Sequence, residues 1–176
     1  IPPGALAPAG PLSPAAAGMI APGGRRVDPQ ELIQGLMKAF GARGFDLNME
    51  QASAIAGNMR VESRLNTGQI NPSSGAFGLM QWLGSRKTGL EAFAAVTKRS
   101  PTDLMVQLEW AALEATGAEG GNFASALNRN LTLPQMTSEF QRLVERGGAE
   151  GARPVPTRQM FASKFFQTGI GGGITS

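Results

Sequence analysis

The chain has 176 residues, and 41% of them are hydrophobic, which is enough for one domain with a buried core. It contains no Cys and no His, so disulfides, the usual zinc sites and the His-dependent nucleophile systems are excluded. A net charge of +3 and a pI near 10.0 come from scattered arginines. We therefore expect a solvated surface with a mild attraction to anionic polymers, and no nucleic-acid binding.

Residues 1–27 are rich in Pro, Ala and Gly and cannot bury enough surface to fold alone. We predict a linker or extended arm that lies on a partner in a larger assembly. No apolar run approaches the roughly 20 residues that a membrane helix needs, so we predict no membrane insertion.

The helical pattern begins at Asp28, a capping residue followed by Pro29, and ends at Gly41. A second helix opens at Asn48, with Gln51 three residues on as in a capping box. Its apolar stripe consists of Ala52, Ile55, Ala56 and Met59. Three residues further the same stripe reaches Glu62, which we therefore place on the core-facing side near the helix C-terminus.

Further helices are predicted over residues 85–97, 101–116 with Ser100 as the cap, 122–128, 134–146 and 157–166. Strand-like alternation is limited to a short stretch near residues 76–82. The sequence thus predicts a mainly α domain over residues 28–168, with a short irregular or β-like loop, followed by a Gly-rich flexible tail at 169–176.

Glu62 is the candidate proton donor, because burial and the negative end of a helix both disfavour a carboxylate. A carboxylic acid that keeps its proton can protonate a glycosidic oxygen. Arg60 and Arg64 lie two residues to either side and should face elsewhere around the helix. The alternative for Glu62 alone is a solvated helix-end glutamate paired with an arginine.

Two stretches, Gly57–Asn66 with Glu62-Ser63, and Ser74–Arg86 with Ser-Gly-Ala-Phe-Gly-Leu-Met-Gln at 74–81, occur at a specific spacing. Together they resemble the phage tail-type lysozymes, within a superfamily that includes the lytic transglycosylases. The similarity is sharp at residues 57–86 and weaker over 30–165. It implies a lysozyme-like helical fold and cleavage of the β-1,4 link between N-acetylmuramic acid and N-acetylglucosamine in peptidoglycan glycan strands.

The resemblance assigns the catalytic acid to Glu62. It also implies a set of substrate-binding residues on the wall of the sugar groove, namely Ser74, Gly75, Phe77, Gly78 and Gln81. The glycines allow close backbone approach, and the Gln81 amide offers both a donor and an acceptor. Trp82 is a further candidate, as a flat face for a sugar ring, with a place in the core as the alternative.

A second carboxylate is not evident, since no Asp or Glu lies between Glu62 and Gln81. Glu109, in an apolar context, is the best distant candidate for that role, and each distant acid is also a candidate surface charge. Lytic transglycosylases need only one glutamate, helped by the N-acetyl group of the substrate. We predict no metal and no cofactor, and we leave the choice between hydrolase and transglycosylase open.

The resemblance implies a virion protein, in the tail or ejected, that acts on the host periplasm or cell wall, with residues 1–27 contacting other virion or assembly proteins. One alternative is a non-catalytic structural or cell-wall-binding virion module that keeps a lysozyme-like fold. Another is a bacterial wall-remodelling transglycosylase, which has the same chemistry in a different setting.

Overall fold

A computed structural model describes residues 19–117, 121–142 and 155–173, which form seven α-helices. In chain order the helices are α1 (Pro29–Gly41), α2 (Met49–Ser63), α3 (Gly84–Val96), α4 (Leu104–Thr116), α5 (Gly121–Leu127), α6 (Leu133–Phe140) and α7 (Val155–Gly173). In these ranges the strand pairing consists of isolated bridges. The prediction of a mainly α domain with a short β-like loop is confirmed.

The first two helices begin where the sequence predicts. The Asp28 side chain accepts hydrogen bonds from the backbone N–H groups of Gln30 and Glu31 and so caps α1. Asn48 and Gln51 form the complete capping box at the start of α2. Each cap satisfies backbone donors that the first turn of a helix leaves without partners, which fixes the start of the helix.

The predicted start of α4 is wrong. The cap is Asp103, whose side chain accepts from the backbone N–H of Val106 at 3.0 Å. Ser100 instead accepts from the N–H of Thr102 at 3.2 Å within the preceding turn. Ser100 and Asp103 both accept hydrogen bonds from nearby backbone N–H groups. Asp103 is the one next to the apolar stripe of α4, and the helix begins there.

The core is built around α2, which packs against α1, α6 and most extensively α7. Gly57 makes the contact with α7 possible, because a Cβ atom there would lie 2.7 Å from both the backbone N of Ala162 and the backbone O of Arg158. The two helix backbones can therefore approach more closely than any larger residue would allow. This contact brings the C-terminal turns of α2 against the N-terminal half of α7.

The predicted boundary between arm and domain differs from the structure. Residues 19–27 lie along residues 65–70, with hydrogen bonds from Val27 N–H to the Leu65 carbonyl at 2.8 Å and from Ala21 N–H to the Gly68 carbonyl at 2.7 Å. The side chain of Val27 is buried in the core. Composition missed this because backbone pairing needs no apolar side chains. Residues 1–18 lie outside the described ranges.

The C-terminal boundaries also differ. Residues 169–173, predicted as part of a flexible tail, continue α7, and Gly169 is buried against the side chain of Met49. Packing thus holds a Gly-rich turn in a helix that its low propensity disfavours. Helix α6 ends at Phe140, and residues 143–146 of the predicted helix fall outside the described ranges. Among the described helices, none has the length and apolarity that crossing a membrane requires.

Candidate active site

Glu62 lies in the last turn of α2, as the sequence predicts, and its side chain is 20% exposed. The helix ends one residue later, at Ser63, and the next two residues, Arg64 and Leu65, both adopt left-handed conformations with φ of 54° and 62°. Two successive non-glycine residues in this region are strained, and such strain persists only where the surroundings enforce it. The chain therefore turns sharply directly after the candidate acid.

The partner of Glu62 is Arg158 on α7. The Arg158 side chain is 1% exposed, and its guanidinium donates to Oε1 of Glu62 and to Oδ1 of Asn58 at 3.1 Å. Asn58 is one turn before Glu62 on the same face of α2, and its Nδ2 donates to the carbonyls of Ala54 and Thr137 at 2.9 and 3.1 Å. Three helices thus fix the guanidinium, and the guanidinium fixes one oxygen of the carboxyl group.

Arg158 and Asn58 are the residues at this position that the sequence analysis missed. The expectation for Glu62 considered burial and the helix end, and it did not include a buried cation in contact with the carboxyl group. A signal was present, because Arg158 precedes Ala162 and Phe165 by four and seven residues. It therefore interrupts an apolar helix face with a charge, and a charge there needs a buried partner.

The predicted β-like loop follows α2. The N–H and C=O groups of Phe77 and Trp82 bond each other at 3.0 and 2.8 Å, and Phe77 also pairs with Ile70. Gly75 and Gly78 have φ of 77° and 76°, which explains why glycine is needed at both turns. Ser74 and Gly75 are half-buried at the surface of this loop.

The Gln81 side chain supports the loop from inside. Its Nε2 donates to the carbonyls of Gln69 at 3.2 Å and Gly78 at 2.9 Å. An amide has two donor hydrogens, and both are directed at the protein, so the carbonyl oxygen is the part of this group that remains to contact a ligand. Its φ of 52° adds a strained residue to the loop.

Gln107 on α4 is a further residue that the sequence analysis missed. It is fully buried, accepts from Leu79 N–H at 2.9 Å, and donates to the carbonyls of Thr67 and Pro101 at 2.6 and 2.7 Å. The same amide lies against Gly78, where a Cβ atom would come within 2.9 Å of it. Gln107 therefore fixes how closely the loop packs on α4. The sequence does carry a sign of this role, because Gln107 is a polar residue within the apolar stripe of α4.

Two aromatic residues of the loop are buried. The Trp82 ring is fully buried, and its Nε1 donates to Glu114 Oε1 at 2.6 Å, so it presents no face to a sugar in this structure. Of the two places that the sequence left open for Trp82, the structure has the core and not the groove wall, because burying the indole satisfies both its apolar body and its N–H. Phe77 is 7% exposed. It borders a cavity of about 330 Å³ with Ile70 and Lys87, and Lys87 Nζ donates to the Gly75 carbonyl at 3.2 Å.

The candidate second carboxylate, Glu109, forms an ion pair with Arg99. Glu114 pairs with Arg86 at 2.7 Å in addition to its bond with Trp82. Asp103 is the cap of α4. Within residues 19–117, 121–142 and 155–173, no group of three acidic side chains is placed to hold a metal ion.

A mainly helical domain with a glutamate held at the end of a core helix, followed by a glycine-containing β-like loop, has the organisation of a lysozyme-like domain. The sequence model of the phage tail lysozyme family matches residues 33–168. The chain therefore belongs to the phage tail lysozyme family, and membership indicates a glycosidase with a peptidoglycan-cleaving, lysozyme-like role in phage. A search of curated proteins gave no match.

Proposed function

We propose that the protein cleaves the β-1,4 bond between N-acetylmuramic acid and N-acetylglucosamine, with Glu62 as the proton carrier and without a metal or cofactor. The observation that supports this most is the state of the Glu62 carboxyl group. It is mostly buried, yet 20% of the side chain is exposed, and a buried arginine fixes it. A group held in this way has the restricted geometry that proton transfer to a bound substrate requires.

Arg158 occupies Oε1 of Glu62, and no side chain or backbone group of the described residues bonds Oε2. We assign Oε2 as the oxygen that exchanges a proton with the glycosidic oxygen. In this proposal the Glu62 carboxyl group gives its proton to the glycosidic oxygen through Oε2, while the guanidinium of Arg158 keeps donating to Oε1 and holds the group in place.

We propose that the loop residues Ser74, Gly75, Phe77 and Gly78, with the carbonyl oxygen of Gln81, contact the glycan. No second protein carboxylate is assigned, because Glu109 and Glu114 are engaged in ion pairs. The N-acetyl group of the substrate would then assist departure of the leaving group. Mass analysis of the digested glycan decides the product: anhydro ends indicate a lytic transglycosylase, and reducing ends indicate a hydrolase.

We place this activity in the virion, in a tail or an ejected protein, acting on the host periplasm or cell wall during infection. In this proposal the arm at residues 1–27 attaches the domain to other virion proteins through the part before residue 19, since residues 19–27 pair with residues 65–70 of the domain itself. Mass spectrometry of purified particles tests the location. Crosslinking from the arm in those particles should recover peptides of structural virion proteins, and crosslinks confined to the chain itself would contradict the attachment.

The decisive test of the chemistry is Glu62→Gln, which keeps the size of the side chain and an oxygen for Arg158. We expect peptidoglycan cleavage to fall by about 100- to 10,000-fold, the contribution of a well-placed general acid. Glu50→Gln is the matched control, since Glu50 is exposed on the same helix. Equal cleavage by the Glu62→Gln and wild-type proteins would refute the assignment.

One observation favours the second candidate, a non-catalytic structural or wall-binding module. The Glu62–Arg158 ion pair is also what a purely structural buried pair looks like. Such a module binds sacculi but releases no soluble fragments at any enzyme concentration. The Glu62→Gln variant would then differ from wild type in unfolding free energy and not in turnover.

A further inference from the structure

Three arginines gather at the C-terminal end of α2. Arg60 and Arg64 are one helical turn apart, and Arg26 lies beside them because it pairs through its backbone with Asn66. The neighbouring bond from Val27 N–H to the Leu65 carbonyl at 2.8 Å holds this register. We name Arg26, Arg60 and Arg64 the arginine patch. It corrects the expectation that the basic residues are merely scattered.

Within the described part of the chain, no carboxylate forms an ion pair with the patch. The ion pairs there use other arginines, namely Arg25, Arg86, Arg99, Arg129, Arg142 and Arg158. The guanidinium of Arg60 instead stacks 4.7 Å from the centre of the Phe161 ring. Partial burial lowers the pKa of Arg60, and the like charges of Arg26 and Arg64 lower it further.

Favourable interaction with the helix end would explain cations at positions 60 and 64, since the last turn carries partial negative charge. It does not explain Arg26, which comes from the N-terminal segment. Guanidinium groups that repel one another and form no ion pair with the described residues present many free donors, and these donors suit carboxylate or phosphate oxygens. Glu62 lies two residues from both Arg60 and Arg64 in the chain, so the patch and the proposed catalytic position share the C-terminal end of α2 but lie on different sides of it.

We propose that the arginine patch is an anion subsite, which binds oxyanions carried by the cell-wall polymer while Glu62 acts on its glycan. This rests on the proposed function for its substrate class. Two sources carry the same chemistry: the carboxylates of the peptides attached to peptidoglycan, and the phosphates of wall phosphodiester polymers. The patch thereby selects charged wall material over neutral glycan such as chitin oligosaccharides.

Binding to isolated sacculi tests the proposal, in the Glu62→Gln background so that nothing is cleaved. The triple variant Arg26→Gln, Arg60→Gln, Arg64→Gln should bind about 100-fold more weakly at low salt, from about fivefold for each arginine near an anionic surface. A charge-matched control, Lys38→Gln, Arg43→Gln, Lys98→Gln, should bind at least tenfold more tightly than the patch variant, since these three exposed cations lie elsewhere in the chain.

Two chemically treated substrates identify the source. Amidation of sacculus carboxyl groups should abolish the difference between the patch and control variants if peptide carboxylates are the ligand. Removal of phosphodiester polymers should abolish it if phosphate is the ligand. Equal binding by the two variants on untreated sacculi overturns the anion subsite, whatever the outcome for catalysis. Loss of binding in the patch variant with no cleavage by wild type would keep the subsite and reject the proposed function.

Discussion

The end of α2 and the loop at residues 66–82 are held by different kinds of interaction. Glu62 is fixed by a charged group 96 residues further along the chain, on a helix that approaches through Gly57. The loop is fixed by neutral groups: its own backbone pairs, the Gln81 amide and the Gln107 amide from α4. The molecule therefore anchors its candidate acid by charge and its candidate sugar-binding loop by neutral hydrogen bonds.

The difference has an energetic consequence. A buried charge is tolerated only while its partners remain. Loss of either Glu62 or Arg158 therefore leaves the other as a buried charge without its partner. A neutral amide network loses single hydrogen bonds when it is disturbed, at a smaller cost for each. Substitutions at the end of α2 should therefore change the unfolding free energy and the balance of buried charge together. Substitutions in the loop should change mainly its shape.

Arg158→Met should give the largest effect, because it leaves the Asn58 oxygen and Glu62 without their buried donor. We expect the free energy of unfolding to fall by about 3 kcal/mol, discounted within the range for broken buried pairs because Glu62 can still reach water. Denaturant titration measures this. Arg142→Met, which breaks an exposed pair, should cost under about 1 kcal/mol.

A double-mutant cycle of Arg158→Met with Glu62→Gln then isolates the pair. We expect the two changes to be non-additive, with a coupling of about 1 kcal/mol or more, since the second change removes the stranded charge. Additive effects would mean that the ion pair contributes nothing and that Arg158 stabilises only through packing and its hydrogen bonds to Asn58.

Gly57→Ala should be next in size. Its added methyl would overlap the backbone of α7 at 2.7 Å, and a backbone cannot rotate away as a side chain does. Separating the two helices should cost about 2–3 kcal/mol and weaken the hold of Arg158 on Glu62. Gly41→Ala is the control: an added Cβ there meets only Asp46 Oδ1 at 3.8 Å, so thermal unfolding should shift little or upward. Similar losses in both variants would exclude close approach as the reason.

Gln107→Ala tests the neutral anchor. It removes the acceptor for Leu79 N–H and the donors to Thr67 and Pro101, and we expect a loss of about 2 kcal/mol in unfolding free energy. Cleavage should weaken mainly through KM, because the loop and not the acid is displaced. Gln34→Ala, at an exposed position, should change neither quantity. A Gln107→Ala protein whose kcat fell while its KM stayed constant would contradict this division of roles.

How much of the fold can be predicted from the sequence depends on the sequence range of the interactions. Local chemistry gave α1 and α2 correctly, because Asp28 and the Asn48–Gln51 box cap the residues beside them. It failed at the ends of the chain, where residues 19–27 pair with residues 65–70 and Gly169 packs on Met49. Those contacts are long-range, and composition alone predicts loops there.

The candidate site shows the same division. The roles of Glu62 and the loop glycines can be predicted from the sequence, because spacing and turn chemistry are local properties. The roles of Arg158 and Gln107 cannot, since Arg158 acts on residues 96 and 100 positions away, and Gln107 fixes the loop through Leu79 and Thr67, which are 28 and 40 positions away. The place of Trp82 stayed open for a related reason: an aromatic residue beside a predicted groove fits both groove and core, and its burial and its bond to Glu114 decide.

Glu109→Gln should have the smallest effect, and it tests whether the site contains a second catalytic carboxylate. The Arg99–Glu109 pair is about one-third exposed on both sides, so its loss should change unfolding free energy by less than about 1 kcal/mol. Peptidoglycan cleavage should stay within about twofold of wild type, because a carboxylate paired this way is not available as a nucleophile or base.

Glu114→Gln is the informative comparison: it should lose stability through Trp82 and Arg86, which shows that the assay detects a structural carboxylate. A hundredfold loss of cleavage in Glu109→Gln without loss of stability would instead make Glu109 the second carboxylate, and the single-glutamate mechanism would have to be abandoned.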